Sequence, residues 1–337
     1  MIVPNALFEH VARLTDDIGI FEHAEGSRPR REHGYCVDDV ARALVVVSRE
    51  PDPEPAVVDL ARIYLAFLAR AQVPDGRSHN RLGIDNAWHD EPSVDDCWGR
   101  ALWAFGTAAA RSPRGDLSTS AAAHFALGAQ LRSPHAHAMA FAALGAAAIL
   151  SRWPTDRIAL DLIAAVPAVI GRPRADTQWP WPEPRLAYAN AALAEALIIA
   201  GEYLGDQRHL DNGLTLLAWL LETETVDGHL SVTPVGGWAR DEPRPGFDQQ
   251  PIEVAALADA CARASRLTGD AVWDKGIDRA IRWFLGDNDS HCSLYEPSTG
   301  GGCDGLQRVG RNENQGAEST LAMVATLQHA RRPVRRP

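Results

Sequence analysis

The chain of 337 residues carries a single lysine, Lys275. Schiff-base chemistry and lysine-dependent phosphate loops would both rest on that residue, which lies in an amphipathic helical pattern, so both are set aside. Cysteine is sparse: Cys36, Cys97, Cys261, Cys292 and Cys303, with no CxxC spacing. An odd, scattered set in a chain this long excludes a disulfide scaffold and suggests reduced thiols in a cytoplasmic protein. Basic residues are outnumbered, 33 against 44 acidic, for a net charge of −11. That excludes a nucleic-acid footprint, which wants a basic face. The start, MIVPNALFEHVARLTDD, lacks a basic residue followed by an apolar run, so no signal peptide is expected. The most apolar stretch, 138–150, is too short to span a bilayer. Also missing are a GxSxG elbow, a Walker loop, HExxH and a GxGxxG following a strand. His135 and His137 are two apart, diverge on a helix and make a poor chelate. No metal and no cofactor are therefore expected.

Alternating Val/Ile/Thr patterns are nearly absent, and helical periodicity dominates. It predicts about twelve helices, over 5–14, 36–48, 56–72, 94–110, 118–131, 135–150, 156–170, 187–203, 206–222, 251–267, 271–285 and 315–327. They alternate in kind. One kind is amphipathic and suits solvent contact; the other is small-residue-rich, nearly apolar throughout, and follows long polar loops. Six such outer–inner pairs closing on themselves make an all-α (α/α)6 toroid with its long loops at one end. A helical-repeat superhelix would show a tighter period. No linker is visible, so 1–330 is expected to be one barrel domain and 331–337, with its RRPVRR, a basic tail.

Two inner-type helices open on paired acids: Asp38–Asp39 in HGYCVDDVARAL and Asp95–Asp96 in EPSVDDCWGRALWAF. A helix start favours a carboxylate, but capping needs only one. The second acid can enter a cavity, although both pairs could still serve only as caps. Glu183, Asp248 and Glu253 stand at further loop–helix junctions as second-line catalytic candidates. The long loops hold aromatic and amide side chains suited to sugar C–H faces and hydroxyls. Candidate substrate contacts are Tyr35, His79, Asn80, Trp88, Trp98, Trp179, Trp181 and Tyr188. Asn190, Trp238, Gln249, Gln250, Asn314, Gln315 and Glu318 complete the set. Trp-Pro clusters could instead staple loops to the barrel.

The segments RLTDDIGIFEHA, HGYCVDDVARAL, DDCWGRALWA, WPWPEP, FDQQPIE and GRNENQGAEST span nearly the whole chain. They resemble a bacterial family of (α/α)6 barrels of the six-hairpin glycosidase type. Its members occur beside, or fused to the C-terminus of, retaining glycosyltransferases. The resemblance implies carbohydrate hydrolysis, often with inversion, by acids at the inner-helix ends. Bacterial endo-mannanases of the wider class are similar in having an adjacent DD pair, which makes Asp38–Asp39 the first catalytic expectation and Asp95–Asp96 the second. Members of the family often carry Asn after the first DD, where this chain has Val40. The chain lacks the αβ alternation of a glycosyltransferase, so a separate glycosyltransferase is the partner implied. The expected function is glycoside hydrolysis of an oligosaccharide or glycoconjugate. Alternatives are a non-catalytic glycan-binding partner, and a sugar epimerase using His33 with His79, His89 or His229.

Overall fold

The computed structural model describes residues 8–331. Part of the helix expected at 5–14, and most of the basic tail, lie outside them. Twelve α-helices follow in order: α1 (Glu9–Arg13), α2 (Val37–Ser48), α3 (Pro55–Ala71), α4 (Asp96–Arg111), α5 (Gly115–Gly128) and α6 (Ala136–Arg152). Then come α7 (Arg157–Ile170), α8 (Ala191–Leu204), α9 (Gln207–Thr223), α10 (Pro251–Thr268), α11 (Ala271–Phe284) and α12 (Ala317–Gln328).

The even-numbered helices form the inner ring. Each packs on the next, and α12 returns to α2 to close it. Each also packs on an outer odd-numbered helix, and the short α1 serves as the partner of α12. The architecture is an (α/α)6 toroid. Burial follows the two kinds of helix. In α2 every residue but Asp38 is buried, whereas α9 buries only Gly213, Leu216, Leu217, Leu220 and Leu221. Small residues let the inner helices approach closely. A Cβ on Gly145 of α6 would stand 2.2 Å from the carbonyl oxygen of Leu102 in α4, and one on Gly106 would stand 2.2 Å from that of Gly145.

The strands among the described residues are only two residues long, as the missing alternation foretold. Two of the pairs tie a long loop to its neighbour. Tyr35–Cys36, entering α2, pairs with Arg81–Leu82 in the loop entering α4, and Arg185–Leu186, entering α8, pairs with Trp238–Ala239 in the loop entering α10. At the other end of the inner helices, Arg49 at the close of α2 makes a two-pronged bond to Asp259 of α10, 3.0 and 2.7 Å. No described helix is long and apolar enough to cross a membrane.

Helix starts differ most from expectation where side chains, not periodicity, set them. The helix expected from 187 begins at Ala191, because Ala189 takes a positive φ of 45° and holds Ala187–Asn190 out of the spiral. Tyr188 and Asn190 are thus loop residues. The two acid pairs are also out of register with one another. Asp38 and Asp39 are the second and third residues of α2, whereas Asp95 precedes α4 and Asp96 begins it.

Candidate active site

The N-termini of the inner helices converge on a cavity of about 1300 Å³. All four paired acids line it, together with Glu183, Asp248 and Glu318 from the candidate set and Glu22 and Asp304 outside it. Helix N-termini carry partial positive charge, which offsets part of the cost of gathering carboxylates. Neither pair is used as a cap: Cys36 and Asp95, the residues preceding α2 and α4, make no side-chain cap bond.

The four acids have different surroundings. Asp39 is buried and accepts a 2.6 Å bond from Arg42, which also lies 3.0 Å from Glu318. Burial outweighs the pull of Arg42 and pushes the Asp39 carboxyl up to about 6. Asp38 keeps part of its surface, and its Oδ1 accepts no hydrogen bond. Its nearest cation is Arg100 of α4, 3.5 Å away, whose guanidinium lies over the Phe141 ring at 3.9 Å. The Cys36 thiol approaches Asp38 Oδ2 at 3.7 Å, and burial raises that thiol well above its ordinary value, so it stays protonated. Asp95 is exposed beside His135 at 3.3 Å. Asp96 accepts a 2.5 Å bond from the Tyr188 hydroxyl.

Tyr188 also stacks on His137, with ring centroids 4.3 Å apart. His137 is buried, its Nε2 has no hydrogen-bond partner, and burial lowers its proton affinity. Glu183 is half-buried, and burial, with no counter-charge, raises its carboxyl above the usual range. Gln250 completes the sequence-derived residues that reach the cavity.

The other candidates lie elsewhere. Glu253 is buried outside the lining and accepts N–H bonds from the loop entering α8. Asn190, fully buried, donates to it at 3.0 Å. Tyr35 is buried and donates to Asp16 at 2.7 Å. His79 bonds the Asp90 carbonyl and stacks on Trp88. The Asn80 side chain accepts from Cys36. Gln249 is fully buried beneath the Trp283 indole N–H, Gln315 accepts from Thr299, and Asn314 accepts from the Gly26 amide.

The tryptophans are the main correction. Trp98 is in the core and donates to the Gly128 carbonyl at 3.1 Å. Trp179 meets Trp219 and Trp238 edge-on, and Trp181 stacks on Trp219. They pin loops to the barrel, and no tryptophan lines the cavity. Apart from its histidines, the lining has one aromatic ring, Tyr188.

The histidines proposed for epimerisation are likewise outside the lining: His33 beside Glu32, His89 on Asp85 and His229 on Asp289, with His79 on Asp90. Instead His23, His135 and His137 line it. The divergence that disqualifies His135 and His137 as a chelate sends one to Asp95 and the other to Tyr188. An arginine, Arg42 or Arg100, follows each acid pair in the sequence, but that spacing does not reveal that Arg100 turns to Asp38 on the neighbouring helix. Val40 is fully buried and away from the lining, so the Asn-to-Val departure does not remove an amide from the cavity wall.

Solved structures share this architecture. A sugar epimerase from a ruminal bacterium superposes with a TM-score of 0.70 at 11% identity, covering 97% of this chain and 96% of its own. Cellobiose 2-epimerase from Bacillus thermoamylovorans gives 0.70 at 10% identity, covering 96% and 95%. A family 76 α-mannanase from Bacteroides thetaiotaomicron gives 0.65 at 11%, covering 96% and 93%. The fold is that of the six-hairpin glycosidases. No family model and no curated protein matches the chain. At these identities the likeness fixes the barrel and leaves the reaction to be argued from the cavity.

Proposed function

We propose that the barrel is a carbohydrate-active enzyme that hydrolyses a glycosidic bond, with Asp38 as general base and Glu183 as general acid. The observation carrying this reading is Asp38 itself, the one unburied residue of α2, whose side chain is 21% exposed in an acid-lined cavity. Arg100 stands 3.5 Å from it as a counter-cation. Glu183 enters from the loop before α8, three places from α2 in a ring of six, on the opposite side. Its raised proton affinity suits an acid.

In the step proposed, Glu183 gives its proton to the glycosidic oxygen as the C–O bond breaks. Asp38 takes a proton from the water that attacks the anomeric carbon. The result is inversion, for which the two carboxyls should stand about 6.5–9.5 Å apart. Asp96, held by Tyr188, binds a sugar hydroxyl. Fold relatives that are named as hydrolases support the class of reaction. The unpaired thiols support a cytoplasmic setting, where a glycosyltransferase would act on the same glycan.

The test is a pH–rate profile on a neutral oligosaccharide. Glu183 must be protonated, so the rate should fall on the alkaline side through a value above the ordinary glutamate range, and Glu183→Gln should abolish that limb with most of the rate. An unchanged profile in Glu183→Gln ends the assignment.

One observation favours a second reading. His137 is a buried, neutral imidazole in the cavity, and an epimerase and a D-mannose isomerase share the barrel. A neutral imidazole could abstract the proton at C2 of an open-chain sugar. Deuterium uptake at C2 in heavy water, with no bond cleaved, would select isomerisation over hydrolysis.

A further inference from the structure

Glu253 is the third residue of α10, where an acid ordinarily meets its own helix start. Here it reaches across to the loop entering α8. One oxygen accepts the Ala189 N–H; the other accepts the Asn190 N–H at 3.2 Å and the Asn190 side-chain amide at 3.0 Å. The Asn190 side-chain oxygen in turn accepts the Ala187 N–H at 2.9 Å. The backbone on both sides of Tyr188 is therefore tied to one carboxyl group. The tie is needed, because Ala189 holds a positive φ of 45° that an L-residue with a side chain rarely adopts unaided.

That conformation aims Tyr188 into the cavity, where its hydroxyl bonds Asp96 and its ring covers His137. Glu253 itself is 3% exposed and does not line the cavity, so it cannot touch a ligand there. No cation balances it: burial pushes its carboxyl up to about 8, with buried Glu224 adding to the rise. A carboxyl kept at such a cost, with its hydrogen bonds spent on backbone and Asn190, is a brace.

We propose that Glu253 is a positioning residue: its clamp on Ala189 and Asn190 orients Tyr188 and, through Tyr188, the Asp96–His137 wall of the cavity. Its effect on turnover rests on the hydrolase reading above; its effect on Tyr188 does not.

The experiment uses 3-fluorotyrosine throughout the chain, whose five tyrosines give five fluorine resonances. Tyr188→Phe identifies the Tyr188 signal. In Glu253→Ala, and in the near-isosteric Glu253→Gln should the alanine variant fail to fold, that signal should move towards the free amino acid and narrow while the other four hold. An unmoved Tyr188 signal in a folded variant overturns the proposal, as does an equal shift of all five. On a hydrolysed glycan, Glu253→Gln should lower kcat/KM about 10- to 100-fold, the scale expected of a contact displaced by about an ångström. Adding Tyr188→Phe should then cost nothing further. A full additive loss in the double variant also overturns it. The fluorine signals need no substrate, so they decide the proposal even where no glycan turns over.

Discussion

Arg100 of α4 lies 3.5 Å from Asp38 of α2, bridging two neighbouring inner helices, while Arg42 is bonded to Asp39 within the same helix. Adjacent acids thus have separate cations and separate exposures. Asp39 is 2% exposed, with its oxygen committed to Arg42. Asp38→Asn should lower kcat by about 10²–10⁴-fold, the usual worth of a general base, with the fold intact by circular dichroism. Asp39→Asn should retain far more activity, since it keeps the shape of a buried group already bonded to Arg42. The two rates, measured side by side, separate the roles. Equal losses would assign the chemistry to the pair as a unit.

Charge should govern which sugars enter. Nine carboxylates but only three arginines line the cavity, and each arginine already faces a carboxylate: Arg42 with Asp39 and Glu318, Arg81 with Glu22, Arg100 with Asp38. No arginine is left for a uronate or phosphate group. Neutral oligosaccharides should bind, and uronate analogues of the same linkage should bind about 100-fold more weakly or worse, because facing like charges costs several kcal/mol. Calorimetry on matched pairs checks this, and added salt should narrow the gap.

Stability should fall as pH rises from about 6.5 to 8. Burial pushes Glu224 up to about 7 and Glu253 up to about 8, against an ordinary 4.5. In that window the folded protein holds protons that the unfolded chain has released, so raising pH favours unfolding, by at most about 1.4 kcal/mol per pH unit for each proton. Below 6.5 the trend should be opposed by His10, His124 and His137. Burial lowers all three, so the unfolded chain takes up protons first. Chemical denaturation across pH should show the slope, and Glu253→Gln should reduce it.

The ring of helices was legible because burial on all sides leaves a plain mark, the small, apolar run of α6 or α8. The acid-bearing starts of α2 and α4 were legible because two carboxylates in succession exceed what a cap requires. The tryptophans were misread for a physical reason. An indole in a Pro-rich loop has the same neighbours in sequence whether it faces a cleft, as expected of Trp179 and Trp181, or folds back on Trp219. Tyr188 was recognised but assigned to a helix, since nothing local announces that Glu253, 65 residues later, will hold Ala189 out of the spiral. A similar distance in sequence hid the meeting of Arg100 with Asp38.

The stereochemistry of the first product tests the account most directly. Proton NMR should follow a neutral oligosaccharide in the first minutes of hydrolysis by the native protein, Asp38→Asn and Glu183→Gln. The native protein should release a sugar of the opposite anomeric configuration, and the two variants should release neither anomer. Release with retained configuration, or undiminished release by either variant, would contradict the proposed mechanism.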